Sequence, residues 1–322
     1  MRGKIGFITC ADLSRYFVSK KNPLLTHDDQ IACDFLQDQG WQVEAIPWGR
    51  DVRQILSDKL DLLVVRSPWD YMDSGENCSS FFHWLRELKV CGVPIANAFE
   101  LLEWNLDKHY LQDFAKLAIP TVPTVFLEAT DSLDKLFEAQ KEWLQIVVKP
   151  CISAAAKDTF LIRNSQDLED LCLGRGEYLQ PFATLRKDRA FMLQPFLQDI
   201  ASVGEWSLIF LDELYSHAVL KLPKKGAWLV QDELGGSVQC LEPSPKLRDF
   251  AEESFETLKP FLRQRFPDPY LLYARLDFMP GNLLGELELV EPELFFLDRR
   301  TSQANLKALE KFHRGVLKVI VH

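Results

Sequence analysis

Residues 273–297, YARLDFMPGNLLGELELVEPELFFL, constrain the fold more than any other part of the chain. They read as two strands joined by a turn at Pro280, Gly281 and Asn282. Side chains alternate along a strand, so Arg275 and Asp277 share one face of the first, and Glu286 and Glu288 one face of the second. Leu and Val fill the positions between, which points to burial of the other face. Glu291 follows, just before Pro292. Four carboxylates and one arginine beside a core strand pair repel one another and desolvate badly when unpaired. A divalent cation removes that conflict. Oxygen-only ligands suit Mg²⁺ or Mn²⁺, and Mg²⁺ commonly arrives with phosphates. The residues alone also allow a second reading, an edge hairpin with its acids in water.

The chain has 322 residues, enough for one to three domains. Its formal net charge of −10 supplies no basic field for nucleic acid or an anionic membrane, so neither is an expected partner. No apolar run approaches the roughly 18 residues of a spanning helix. The start, MRGKIGFITCADLS, has no signal-peptide pattern. Seven singly scattered cysteines form no CxxC pair, which suggests a reduced, cytoplasmic setting.

The first part of the chain alternates strands with helices. Strands are expected at 4–10, 41–48, 61–69 and 93–97, with helices at 27–39, 52–60 and 77–91. Short connections and this alternation predict a doubly wound parallel sheet, placed at residues 1–96. No GxGxxG is present. Ligands gather at the carboxyl ends of such strands, so RSPWDY at 66–71 makes Arg66, Trp69, Asp70 and Tyr71 candidates for substrate contact. Arg66 offers a two-pronged donor for a substrate carboxylate. The alternative is a structural Arg–Asp pair under a packed tryptophan.

Residues 97–118 read as a linker helix, opened by Asn105 or Asp107, with Lys108 in its first turn. A lysine there opposes the helix dipole, which makes sense where it holds a phosphate. Residues 119–190 form a small α+β unit. Within it a strand ends in Lys149, and the loop CISAAAK, with Ser153, brings small side chains where backbone N–H groups can approach phosphate. Residues 174–190 read as a mobile polar loop, and 191–197 as a strand opening a last domain at 191–322. That domain holds a hairpin across Asp212 and Glu213, a loop with Gly226, Gly235 and Gly236, long helices at 246–266 and 301–321, and the acidic hairpin. His217 reads as a core histidine and His109 as a surface one.

This series of a helix-start lysine, a strand-end lysine, a glutamine-bearing strand, an acid, Arg-x-Asp and Glu-x-Glu resembles the ATP-grasp superfamily. Within it the chain is most similar to the carboxylate–amine ligases of the glutathione synthetase-like and D-alanine–D-alanine ligase-like groups. RSPWDY, WNLDKHYL, VVKP, GEWSLIFL, YSHAVLKLP, ELGGS, YARLD and ELELVEPELF look closer still to the cycloserine cyclo-ligase branch. The resemblance implies an α/β fold with an N-terminal parallel-sheet domain, a lid, and a C-terminal domain built on an antiparallel sheet. It implies ATP and Mg²⁺ as cofactors and amide-type C–N bond formation through an acyl phosphate, on a small amino-acid-like substrate. Lys108 and Lys149 match phosphate-binding lysines, and Gln194, Pro195, Phe196 and Leu197 match the adenine-binding hinge. Glu205 matches the ribose acid, and Lys221 a basic residue near the terminal phosphate. Asp277, Glu286 and Glu288 match metal ligands, and Arg275 an arginine at the transferred phosphate. Glu291 is left as either a further ligand or a salt-bridge partner. Gly235 and Gly236 are expected near substrate, and a homodimer through the first domain would fit the relatives. The rival reading is a nucleotide-binding regulatory or scaffold protein without turnover, against which the complete set of lysines, arginine and acids argues.

Overall fold

The computed structural model describes residues 2–16, 18–153, 156–175, 180–224, 236–296 and 303–321. The first sheet contains β1 (Lys4–Thr9), β2 (Gln42–Pro47), β3 (Leu62–Ser67) and β4 (Ile95–Ala96), in the order β2-β1-β3-β4. All its pairings are parallel. β1 and β3 are almost wholly buried, as apolar strands covered on both faces should be. The helix His27–Asp38 is capped by Thr26, whose side chain accepts from Asp29 N, and Gly75–Val90 is capped by Ser74.

The second sheet contains β5 (Val125–Leu127), β6 (Ile146–Pro150), β7 (Phe160–Ile162) and β8 (Phe191–Pro195), in the order β5-β8-β6-β7 and antiparallel throughout. Strand β8 therefore closes this sheet at Pro195, whereas the sequence placed residues from 191 in the last domain. Its apolar residues Phe191 and Leu193 join the core of this unit, beside Leu136, Val148 and Phe182. Part of the expected polar loop is helical, Gln180–Leu185.

The third sheet carries the site. It contains β9 (Glu205–Leu211), β10 (Leu214–Leu222), β11 (Ser237–Cys240), β12 (Tyr273–Met279) and β13 (Leu283–Glu288), in the order β11-β10-β9-β12-β13. Its back face packs on the helix Pro245–Arg265, where Phe210 stacks on Phe255 at 4.3 Å between ring centres. Gly204, at φ +79°, turns the chain into β9, and a Cβ there would lie 2.6 Å from Lys221 O.

The linker differs from the single helix expected from sequence. Phe99–Leu106 is one helix, Lys108–Tyr110 forms a short 3₁₀ turn, and Leu111–Lys116 is a second helix. Asp107 breaks the run by accepting from His109 N. This linker covers the outer edge of β13. Asn105 donates to Leu287 O and accepts from Leu289 N, while Tyr110 Oη pairs with both backbone groups of Leu287. Residues 120–122 continue the edge through Leu284 N→Pro120 O and Val122 N→Leu284 O. The acidic hairpin is thus not an open edge strand.

The first and third sheets share one apolar core: Phe7 and Val64 lie in the same cluster as Ile209, Tyr273, Phe296, Phe312 and Val316. Asn97 stitches that junction. Its amide donates to Tyr273 O and Leu289 O, and its carbonyl accepts from Leu272 N. Asn97→Ala strands these three backbone groups in a buried place. The expected loss is about 2–3 kcal/mol of unfolding free energy, measured by urea denaturation.

Candidate active site

Strand register puts the site residues on one face. Arg275 lies opposite Glu288, and Asp277 opposite Glu286, across β12 and β13. A bulge between Asp277 and Phe278 accommodates the extra residue, Gly285. On the other flank Asp277 pairs with Ser207 of β9, and Glu205 of β9 with Lys221 of β10. The resulting ion pairs are short. Lys221 Nζ lies 2.5 Å from Glu205 and 3.4 Å from Asp277. The Arg275 guanidinium meets Asp277 at 2.9 Å and also pairs with Glu288. Ser207 Oγ donates to Asp277 Oδ1 at 2.5 Å. Lys108 Nζ reaches in from the linker to Glu286 at 2.9 Å and donates to Ser153 O at 2.6 Å.

Apart from Ser207, these groups line one cleft between the second and third sheets, together with Lys149, Ser153, Gln194, Pro195, Phe196 and Leu197. Val122, Val147, Ile200 and Met279 make its apolar walls. Thus the cleft brings together the phosphate, hinge, ribose and metal candidates named from sequence. Their individual roles are taken up below as proposals.

The electrostatics are strained in an informative way. Burial alone would raise the Asp277 carboxyl, but Arg275 and Lys221 overcome it and hold it well below the usual carboxylate range. Burial pushes Glu288 up to about 8 despite Arg275, because Asp277, Glu286 and Glu291 are also near. Lys108 is buried, yet Glu286 keeps it above the ordinary lysine value. Burial lowers Lys149. Among the described residues the Lys149 side chain has no ion pair and no hydrogen bond, unlike those of Lys108, Lys221 and Arg275. The acids lining the cleft, Glu205, Asp277, Glu286, Glu288, Glu291 and Glu293, outnumber the cations Lys108, Lys149, Lys221 and Arg275. Their donor atoms are all oxygen. This set fits a hard divalent cation, with Asp277, Glu286 and Glu288 as the residues that would hold it.

Three substrate candidates among the described residues, Arg66, Asp70 and Gly236, do not line the cleft. Arg66 is 2% exposed and paired with Asp29 at 2.9 Å. It donates to Pro292 O and lies over the Tyr273 ring. A buried guanidinium with its own carboxylate is a structural clamp, so the structural Arg–Asp reading replaces the substrate one. Asp70 turns to Trp48, whose indole donates to its Oδ1, and its backbone oxygen accepts from Asn77. Trp69 and Tyr71 do line the cleft. Gly236 precedes β11 and is not part of the lining, although Val238 is, and Gly235 lies outside the described residues. His217 is buried, with Nε2 2.8 Å from Leu294 O, as a core histidine should be. His109 is half-buried between Asp107 and Glu128 rather than free on the surface. Sequence reasoning missed Ser207, although its spacing from Glu205 puts it on the same face. It also missed Tyr16, a loop residue with no local signal.

The fold is that of solved ATP-grasp ligases. In sequence the chain is similar to D-cycloserine synthetase. Residues 5–97 match the family model described as D-cycloserine synthetase DcsG, N-terminal domain. The cycloserine biosynthesis protein DcsG of Streptomyces lavendulae is 26% identical over 270 residues, 79% of this chain and 80% of that protein. The crystal structure of D-cycloserine synthetase DcsG superposes with a TM-score of 0.77 at 21% identity, covering 99% of this chain and 100% of that one. D-alanine–D-alanine ligase from Bacillus anthracis, solved with ATP, superposes with a TM-score of 0.63 at 13% identity, covering 99% and 97% of the two chains.

Arg275→Met leaves the buried Asp277 and the half-buried Glu288 without their shared cation. Without divalent ions the expected cost is about 3 kcal/mol in chemical denaturation. Added Mg²⁺ should recover part of it, because the ion replaces the missing positive charge.

Proposed function

We propose that the protein uses ATP to phosphorylate the carboxylate of a small amino-acid-like molecule, and that a nitrogen nucleophile then displaces phosphate to form an amide-type bond. The observation that supports this most is the facing array of Arg275, Asp277, Glu286 and Glu288, closed by Lys108 and Lys221. A carboxylate is a poor acyl donor until its oxygen carries a good leaving group. Making one requires two anions, the carboxylate and the terminal phosphate, to meet. Lys149, whose side chain has no partner among the described residues, and Lys108 are suited to phosphate oxygens on opposite sides of the cleft, and Arg275 and Lys221 to the transferred group. Bound Mg²⁺ or Mn²⁺ would polarise the phosphoryl oxygens and neutralise charge there. Gln194, Pro195, Phe196 and Leu197 with the apolar walls suit adenine, and Glu205 suits ribose hydroxyls.

In the first step a carboxylate oxygen bonds to the terminal phosphorus and ADP leaves. In the second the nitrogen bonds to the acyl carbon, phosphate leaves, and the nitrogen gives up a proton. Water would hydrolyse the intermediate, so the second sheet serves as a lid. Lys157 ties this unit to the first domain by donating to Met72 O and Asp73 O at 3.2 and 2.7 Å.

Asp277→Asn and Glu286→Gln are each expected to lower Mg²⁺-dependent ADP release, assayed with a panel of amino acids and amines, by at least about 100-fold. Their melting temperatures should stay within about 5 °C of the parent. Near-normal ADP release in both variants would remove the metal assignment. Tight Mg·ATP binding without ADP release in the parent would favour the scaffold reading.

A further inference from the structure

Glu291 stands apart from the paired acids. It follows β13, and Tyr71 Oη donates to its Oε1 at 2.8 Å, while Trp69 Nε1 donates to its backbone oxygen at 3.3 Å. Its other oxygen, Oε2, is buried and has no hydrogen-bond partner among the described residues. The side chain lines the same cleft as Lys108 and Arg275. Tyr16, Trp69 and Tyr71 line the cleft with it, Tyr16 and Trp69 meeting edge-to-face at 4.7 Å between ring centres.

The segment bearing Glu291 is fixed. Arg66 Nη2 donates to Pro292 O at 3.1 Å, and Asp28 accepts from Leu294 N at 3.1 Å and from Phe296 N. Tyr71 is buried, stacked on Phe81 at 4.6 Å, so its hydroxyl is a rigid donor. The Glu291 carboxylate is therefore oriented at one oxygen and left without a donor at the other among the described residues. A buried carboxylate oxygen without a donor is costly, and a cationic donor satisfies it best. Aromatic faces beside such a carboxylate favour a compact cation over a neutral group.

We propose that Glu291, walled by Tyr16, Trp69 and Tyr71, binds the ammonium group of an amino-acid-like substrate. This deepens the ligase reading and rests on it. Glu291 is then a specificity residue, selecting molecules with a free amine, rather than a metal ligand. Tyr71 is a positioning residue that aims the carboxylate. Arg66, expected from sequence to touch substrate, instead acts by anchoring the loop that carries this group.

The test is a binding titration with the whole chain in Mg²⁺ and the non-hydrolysable analogue AMP-PNP. The probes are both hands of alanine and serine, and D-cycloserine, each with its N-acetyl derivative. At least one free-amine probe is expected to bind the parent protein about tenfold or more tightly than its N-acetyl form. Glu291→Gln should weaken that probe by about tenfold or more, with AMP-PNP and Mn²⁺ affinities within about twofold of the parent. Tyr71→Phe should give a smaller loss of about threefold, and carries the same test should the Glu291 variant not fold. Equal binding of free and acetylated probes, or no binding of any free-amine probe, overturns the proposal. So does a Glu291→Gln effect confined to Mn²⁺, which would make Glu291 a metal ligand. Failure of the parent to bind AMP-PNP would instead sink the ligase reading itself.

Discussion

The structure depends on a charge arrangement that its own residues satisfy only provisionally. On one face of β9, β12 and β13, Asp277 is held by Arg275, Lys221 and Ser207, Glu288 by Arg275, and Glu286 by Lys108. Each of these cations is also suited to phosphate. Each acid is suited to a divalent ion. A buried ion pair between such groups is roughly balanced against its desolvation, so it can be exchanged for a better partner without unfolding the sheet. On the proposed function, Mg·ATP would bring both replacements at once: phosphates for the cations and a metal for the acids. The protein's salt bridges are in this view a placeholder that keeps the site closed and aligned.

The surroundings make that exchange local. Asn105 and Tyr110 fasten the free edge of β13, and Asn97 fastens the far ends of β12 and β13 to the first domain. Arg66, Asp28 and Tyr273 lock the segment that follows, with Tyr273 Oη 3.2 Å from Val290 O. The strands therefore hold their register while side chains change partners. The second sheet is joined through the hinge residues of β8, which line the cleft and lead into β9. On the proposed function, that arrangement would let the second sheet act as a cover over a fixed floor.

Much of this was legible in the chain because strands obey a strict period. Arg275 with Asp277, and Glu286 with Glu288, could be assigned to shared faces from spacing alone, and the alternation of the first domain gave its parallel sheet. The ATP-grasp class followed from the order of the lysines and acids along the chain. Other features depended on distant partners. Arg66 looks like a ligand-binding residue at a strand end until Asp29, brought close by the fold, takes its charge. Asp70 lost its substrate role to Trp48 in the same way. The edge protection of β13 was invisible because Asn105 and Tyr110 act on backbone groups far along the chain. Strand β8 was read as opening the last domain although it pairs in the second sheet, because an apolar strand does not itself state its neighbour.

The exchange of partners is tested most directly by Mn²⁺ electron paramagnetic resonance, with the ion titrated in the absence and presence of AMP-PNP. The account predicts that the analogue tightens Mn²⁺ binding by at least about tenfold, and that Mn²⁺ tightens the analogue equally, since each frees the other's protein ligands. Mn²⁺ affinity unchanged by the analogue would contradict it.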